Sequence, residues 1–155
     1  MSGGNDKALV ITSPAPLPVP GGWPVIFLAG SIDQGGAPDW QNTVIEALAD
    51  CAVTLLNPRR AVRDEGDADT FRAQVEWELD GLERADGIVL YLAPGSLAPV
   101  SLLELGLHAA SGKLILCCPE GFWRKGNVDI VARRHTIPQH PDLAALIADL
   151  RRRYG

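Results

Sequence analysis

Short apolar runs alternate along this chain with longer stretches whose apolar positions recur every three or four residues. Val25-Ile-Phe-Leu-Ala29 is the first run, closed by Gly30-Ser31 and a polar Gly-Gly loop, and Trp40, Val44, Ile45 and Leu48 then follow at helical spacing. Cys51 to Leu56 predicts a second strand ending at Asn57-Pro58, and Phe71 to Arg84 a second helix with Val75, Leu79 and Leu82 turned inward. Gly87 to Leu92 predicts a third strand. A helix over Pro99 to Ser111 follows, opened by a proline suited to a first turn and capped by Gly112, and Lys113 to Cys118 is a fourth strand. The tail is weaker: Arg134 to Ile137 predicts a short fifth strand, and Pro141 to Arg153 a last amphipathic helix. Residues 1–24 carry Ser-Pro-Ala-Pro-Leu-Pro-Val-Pro-Gly-Gly-Trp-Pro, too rich in Pro and Gly for a helix or a central strand. They are expected to form an irregular leader that wraps the domain or a neighbouring subunit, with residues 25–155 as one domain.

Apolar strands alternating with amphipathic helices predict an α/β protein: a parallel sheet of about five strands with helices on both faces. Ligands of such sheets bind at the carboxyl ends of the strands. The segments that leave those ends are Gly30-Ser31-Ile32-Asp33, Asn57-Pro58-Arg59-Arg60, Ala93 to Ser101 and Pro119 to Asn127, so the polar constellations of interest share one edge.

Composition narrows the function classes. The 155 residues carry a net charge of −5 with the acidic excess dispersed, which disfavours a nucleic-acid polymer as partner. No apolar stretch approaches the roughly 20 residues of a membrane span, and the N-terminus lacks a basic region followed by an apolar one; a soluble, cytoplasmic protein is expected. Cys51, Cys117 and Cys118 make no metal-type pairing with His108, His135 or His140, and all three read as reduced, mostly buried thiols. A dinucleotide fingerprint and a Gly-Lys-Ser/Thr phosphate loop are both missing, so nicotinamide and ATP chemistry are disfavoured; no cofactor and no metal are expected.

The run Ser101-Leu-Leu-Glu104-Leu-Gly106 is the sharpest chemical signal. It sets one carboxylate among leucines about one turn into a helix, where the peptide dipoles favour the ionised form by roughly 0.3 to 1 kcal/mol. Glu104 is a candidate nucleophile or base, with satisfaction of backbone amides at the helix start as an equal alternative. Gly30 and Ser31 could present an amide and a hydroxyl to a sugar or phosphate oxygen, or Gly30 could merely allow a tight turn. Arg59 and Arg60 could hold an anion, or pair with Asp64, Glu65 or Asp67 downstream. Glu76, Glu78 and Asp80 lie together near the end of the second helix, where a solvated face is the ordinary role. Trp23, Trp40 and Trp123 suit core or interface packing better than base stacking.

Three of these segments, in this order, resemble the nucleoside 2-deoxyribosyltransferase superfamily, which includes related deoxynucleotide N-glycosidases. They are Ile26-Phe-Leu-Ala-Gly-Ser-Ile-Asp-Gln-Gly-Gly36, Trp77-Glu78 with Ala85-Asp86 downstream, and Ser101-Leu-Leu-Glu-Leu-Gly106. The resemblance spans roughly residues 25–128. It implies a Rossmann-like (flavodoxin-like) fold and cleavage of the N-glycosidic bond of 2'-deoxynucleosides through a covalent 2-deoxyribosyl intermediate on Glu104. By the same resemblance Glu78 assists near the base or sugar, and Asn127 reaches the sugar site of an adjacent subunit, making the active unit at least a dimer. Gly30, Ser31, Asp33, Asn57, Arg59 and Ser101 are the remaining candidate substrate contacts. Two positions depart from the pattern. Classical transferases carry an aspartate six residues before the nucleophile, where this chain has Ala98, and the nucleotide N-glycosidases carry an arginine where it has Asp33. Base transfer, hydrolysis of a deoxynucleoside 5'-monophosphate, and non-catalytic nucleotide sensing on the same fold therefore stand as competing readings.

Overall fold

The structure is a computed structural model that describes residues 7–19, 21–32, 37–59 and 67–155. Six strands form one parallel sheet: β1 (Leu9–Thr12), β2 (Val25–Gly30), β3 (Thr54–Asn57), β4 (Gly87–Tyr91), β5 (Leu114–Cys117) and β6 (Gln139–His140), in the order β1-β3-β2-β4-β5-β6. Five helices connect or follow them: α1 (Trp40–Ala47), α2 (Ala68–Arg84), α3 (Pro99–His108), α4 (Lys125–Arg134) and α5 (Leu143–Tyr154). Without the added edge strand β1, this is the flavodoxin-like order.

Because side chains alternate across a strand, each strand feeds both faces of the sheet. Ile26, Leu28, Leu55, Val89 and Ile115 pack with Trp40 and Val44 of α1, Leu48 just after it, and Leu146 and Leu150 of α5. Phe27, Ala29, Leu56, Leu90 and Leu116 pack on the opposite face with Trp77 and Leu82 of α2, Leu105 of α3 and Val128 and Ala132 of α4. The central strands are buried on both sides, which is why they read as continuous apolar runs. The three thiols are free and buried, and burial pushes Cys117 up to about 12 and Cys118 up to about 11, so both stay protonated near neutrality.

Four local expectations are corrected. The leader is not irregular throughout: Leu9-Val-Ile-Thr12 precedes its first proline and pairs with β3 as an edge strand. The proline-rich part then straps α2, with Ser13 Oγ donating to Gln74 Oε1, Trp77 Nε1 to Ala15 O at 2.8 Å and Arg84 Nη1 to Pro18 O at 3.2 Å. On α2, Val75 and Leu79 face solvent beside Phe71, while Trp77, Gly81 and Leu82 turn inward. Trp77 meets Phe27 with ring centroids 6.0 Å apart, and a Cβ at Gly81 would lie 2.8 Å from that phenylalanine ring, so bulk at one position and its lack at the next set the helix rotation. Third, a helix that the spacing did not predict follows β5: α4 begins at Lys125 and runs through Arg134, burying Val128 and Ala132. Finally, the strand expected at Arg134 to Ile137 lies instead at Gln139–His140, because α4 occupies the start of that stretch.

Candidate functional site

The chain leaves β2 toward β3 on one side and returns through α2 to β4 on the other, so the topological switch point lies at the carboxyl ends of β2 and β4. Gly30 ends β2 with φ 145°, and it is paired with Tyr91 so closely that a Cβ there would sit 2.2 Å from Tyr91 O and 2.7 Å from Trp40 Cζ2. Only glycine fits. Ser31 follows with its side chain fully buried, held by Ser31 N donating to Tyr91 O at 2.9 Å and Trp40 Nε1 donating to Ser31 O at 3.1 Å.

Hydroxyl groups then join the two strand ends. Ala93 N donates to Ser31 Oγ at 2.9 Å, Ser31 Oγ lies 2.7 Å from Ser96 Oγ, and Ser96 Oγ donates to Ala93 O at 2.7 Å. Since Ser96 spends its one hydrogen on Ala93 O, Ser31 must be the donor between the two hydroxyls. The relay fixes the β4–α3 loop, and Ser96 is a residue that the sequence reading missed. Its signal was a hydroxyl on the loop leaving the strand at the switch point. The same loop is braced from outside by Gly95 N donating to Gly121 O at 3.3 Å and Trp123 Nε1 to Leu97 O at 2.9 Å.

Ala98 closes the loop in the left-handed region (φ 44°, ψ 52°), a conformation costing a non-glycine residue roughly 1–2 kcal/mol, and Pro99 opens α3 directly after it. The buried face of α3 carries Ser101, Glu104 and Leu105, and the helix packs against β2. Glu104 is 7% exposed. Burial, and secondarily the charge of Glu78, raise its pKa from 4.5 to about 8. The expected dipole stabilisation of the ionised form is overridden: Glu104 is the sixth helical residue, past the first turn where the dipole acts, and is shielded from water. Glu78 is half-buried on α2, oriented by Gln74 Nε2, which donates to Glu78 Oε2 and to Pro58 O at 3.2 Å each. The structure thus brings Glu104 and Glu78 within electrostatic reach of each other, on two helices that both pack against β2.

The other candidates divide. Asn57 Oδ1 accepts from Arg59 N at 3.0 Å, a turn-forming contact. Arg59 clamps the start of α1, donating to Pro38 O at 2.8 Å and Ala37 O at 2.6 Å. Asp67 does not pair with an arginine among the described residues; it caps α2 by accepting from Thr70 N. Asn127 is exposed in the first turn of α4 and lines a shallow apolar pocket of about 140 Å³ with Leu102, Leu105, Gly106, Val128 and Val131. Asp33, Gly35, Gly36 and Arg60 lie outside the described residues. Among the described residues no cluster of His, Cys, Asp and Glu could hold a metal ion, and no helix is long and apolar enough to cross a membrane.

A parallel α/β domain with this strand order, carrying the buried Glu104 on the helix that follows β4, is the class of fold whose ligands bind in the crevice at the strand ends. More specifically, the family model described as nucleoside 2-deoxyribosyltransferase like matches residues 23–122, well over half of the chain, and the protein belongs to that family. No curated protein matches it.

Proposed function

We propose that this protein cleaves the N-glycosidic bond of 2'-deoxynucleosides and transfers the deoxyribosyl group, with Glu104 as nucleophile and Glu78 as proton donor to the departing base. The supporting observation is the buried Glu104 under the influence of the Glu78 charge, on helices that both pack against β2. Burial, with the charge of Glu78 nearby, makes Glu104 keep a proton into the neutral range. In the reactive arrangement that proton sits on Glu78. The ionised Glu104 then attacks C1', the C1'–N bond breaks with its electron pair passing to the base, and Glu78 protonates the leaving nitrogen. A second base, or water, attacks C1' of the resulting ester, returning the proton to Glu78 and freeing Glu104. Gly30 and Ser31 shape the sugar end, and Ser101 lies on the same buried helix face as Glu104.

The direct test incubates the protein with a panel of deoxynucleosides and their 5'-monophosphates, with and without a free acceptor base, and follows products by chromatography. Base exchange supports transfer, free base without exchange supports hydrolysis, and no turnover by concentrated protein sinks the proposal. Because the catalytic pair must keep one shared proton, kcat/KM is expected to fall as pH rises through about 8, and to fall again in acid once the pair takes up a second proton and Glu104 can no longer attack. Glu78→Gln should remove the alkaline limb while lowering kcat by roughly 10²- to 10⁴-fold; a wild-type rate that rises through pH 8 contradicts the shared-proton scheme.

The reading extends to a homodimer. Phe71, Val75 and Leu79 form an exposed apolar stripe on α2, and Val100, Leu103 and Leu107 another on α3, on the same side of the sheet as Asn127. Contiguous apolar surface of this kind marks an interaction face, and burying it between two copies would carry Asn127 toward the partner's sugar site. Leu103→Glu is expected to shift the protein to monomer in analytical ultracentrifugation and to lower activity with it. A variant that stays dimeric, or a fully active monomer, counts against this arrangement.

A further inference from the structure

Gln41, the second residue of α1, is fully buried, and among the described residues its Nε2 is the buried side-chain nitrogen or oxygen atom without a hydrogen-bond partner. Its orientation is set by chemistry: Arg59 Nη1 can only donate, and it lies 3.4 Å from Gln41 Oε1, so the amide hydrogens point away from the guanidinium. A buried donor left open is uncommon in a folded protein and asks for an acceptor. Arg59 repeats the pattern. Nη1 spends its two hydrogens on Pro38 O and Gln41 Oε1 and Nη2 one on Ala37 O, leaving Nε–H and one Nη2 hydrogen unspent among the described residues. No carboxylate there neutralises it; Asp39, at the same helix start, accepts from Asn42 N, and Asp67 caps α2. These donors gather just past the carboxyl end of β3, where Asn57 leads to Arg59, and Trp40, next to Gln41, donates to the backbone of Ser31 at the switch point.

We infer that Gln41 and Arg59 form a donor-only subsite for an oxygen acceptor of the substrate, either an oxo group of the base or a 5'-phosphate. The inference rests on the nucleoside-processing reading and adds where the substrate's acceptor is recognised. Donors alone discriminate: they accept an oxo edge or a phosphate oxygen and leave an amino edge unpaired, the kind of mismatch that a buried polar site rejects strongly. It also suits a chain with Ala98 where the resembling transferases present a carboxylate acceptor to the base.

The test uses the full-length ¹⁵N-labelled protein carrying Glu104→Gln, so that binding is read without turnover, with the Gln41 carboxamide signal assigned by its loss in Gln41→Met. Hypoxanthine, adenine, 2-deoxyribose 5-phosphate and inorganic phosphate are titrated separately. A saturable downfield shift of that signal with hypoxanthine and not adenine identifies the base as source, and the same shift with either phosphate compound identifies the phosphate. Gln41→Met and Arg59→Lys should each weaken the responding probe at least tenfold while retaining the parent's thermal midpoint within a few degrees. A signal unmoved by all four probes, or unchanged affinity in both variants, overturns the subsite. Binding without turnover in the Glu104-intact protein would defeat the catalytic reading alone, whereas normal turnover and unaltered base preference in Gln41→Met would defeat the subsite alone.

Discussion

Glu104→Gln yields a protein that has lost turnover and gained stability at alkaline pH. The first effect follows from removing the nucleophile: an amide cannot form the deoxyribosyl ester, so exchange and hydrolysis should fall to background. The second follows from linkage. In the folded chain Glu104 holds its proton up to about 8, against 4.5 for an ordinary glutamate. Between those values the folded state binds more protons than the unfolded one, so stability is fully present below pH 4.5 and drains away as pH rises through about 8. The loss is bounded at about 5 kcal/mol by 1.36 kcal/mol per pH unit across the interval, and relaxation around the charge makes the real figure smaller. Glutamine has the same shape and never ionises. Denaturant melts at pH 5 and pH 8.5 should therefore show the wild type losing a few kcal/mol across that interval and the variant holding nearly level. Near-normal turnover in Glu104→Gln would remove Glu104 from the chemistry. Parallel stability profiles would show that it is not the buried acid described above. Alanine tests the chemistry equally well, but the cavity it leaves obscures the stability effect.

What could be read from the chain before folding is what local pattern controls. The double-sided runs at Val25–Gly30, Gly87–Tyr91 and Leu114–Cys117 declared central parallel strands, and Pro99 with the following leucines declared α3. From these alone Gly30, Ser31 and Glu104 could be set on one edge. The strand Leu9–Thr12 was hidden because an edge strand of four residues beside a proline-rich segment has little pattern of its own. Helix α4 was hidden because its inward positions, Val128 and Ala132, are few against the charges around them. The rotation of α2 cannot be read from spacing, since its apolar stripe faces outward, and the Trp77–Phe27 contact is what reveals which side is the core. Site energetics were the least legible. A carboxylate near a helix start reads as ionised in sequence, but its burial and the facing Glu78 come from elements far apart in the chain and reverse the preference. The Ser31–Ser96 relay and the open amide of Gln41 likewise exist only once strand ends from different parts of the chain meet.

Gly30→Ala is expected to be the most destabilising of the glycine-to-alanine changes among the described residues, at about 3 kcal/mol or more. Two costs add. The residue holds φ 145°, a conformation that L side chains rarely adopt and that costs on the order of 1–3 kcal/mol. The new Cβ would also lie 2.2 Å from Tyr91 O and 2.9 Å from Tyr91 N, both backbone atoms of the neighbouring strand, so no side-chain rotation relieves the overlap. Relief requires β2 and β4 to separate at their paired ends, Gly30 and Tyr91, which breaks the bond from Ser31 N to Tyr91 O and drags Ser31 away from Ala93 N and Ser96. The damage should therefore appear in the site as well as in the fold, with residual activity falling further than the fraction of folded protein explains. Gly95→Ala supplies the contrast: its φ of 78° is also left-handed, but a Cβ there meets nothing within 4 Å. Strain without overlap should cost about 1 kcal/mol. Denaturant midpoints of the two variants against the wild type separate the effects, and a Gly30→Ala protein as stable as Gly95→Ala would mean that the close approach of β2 to β4 is not what holds the strand ends together.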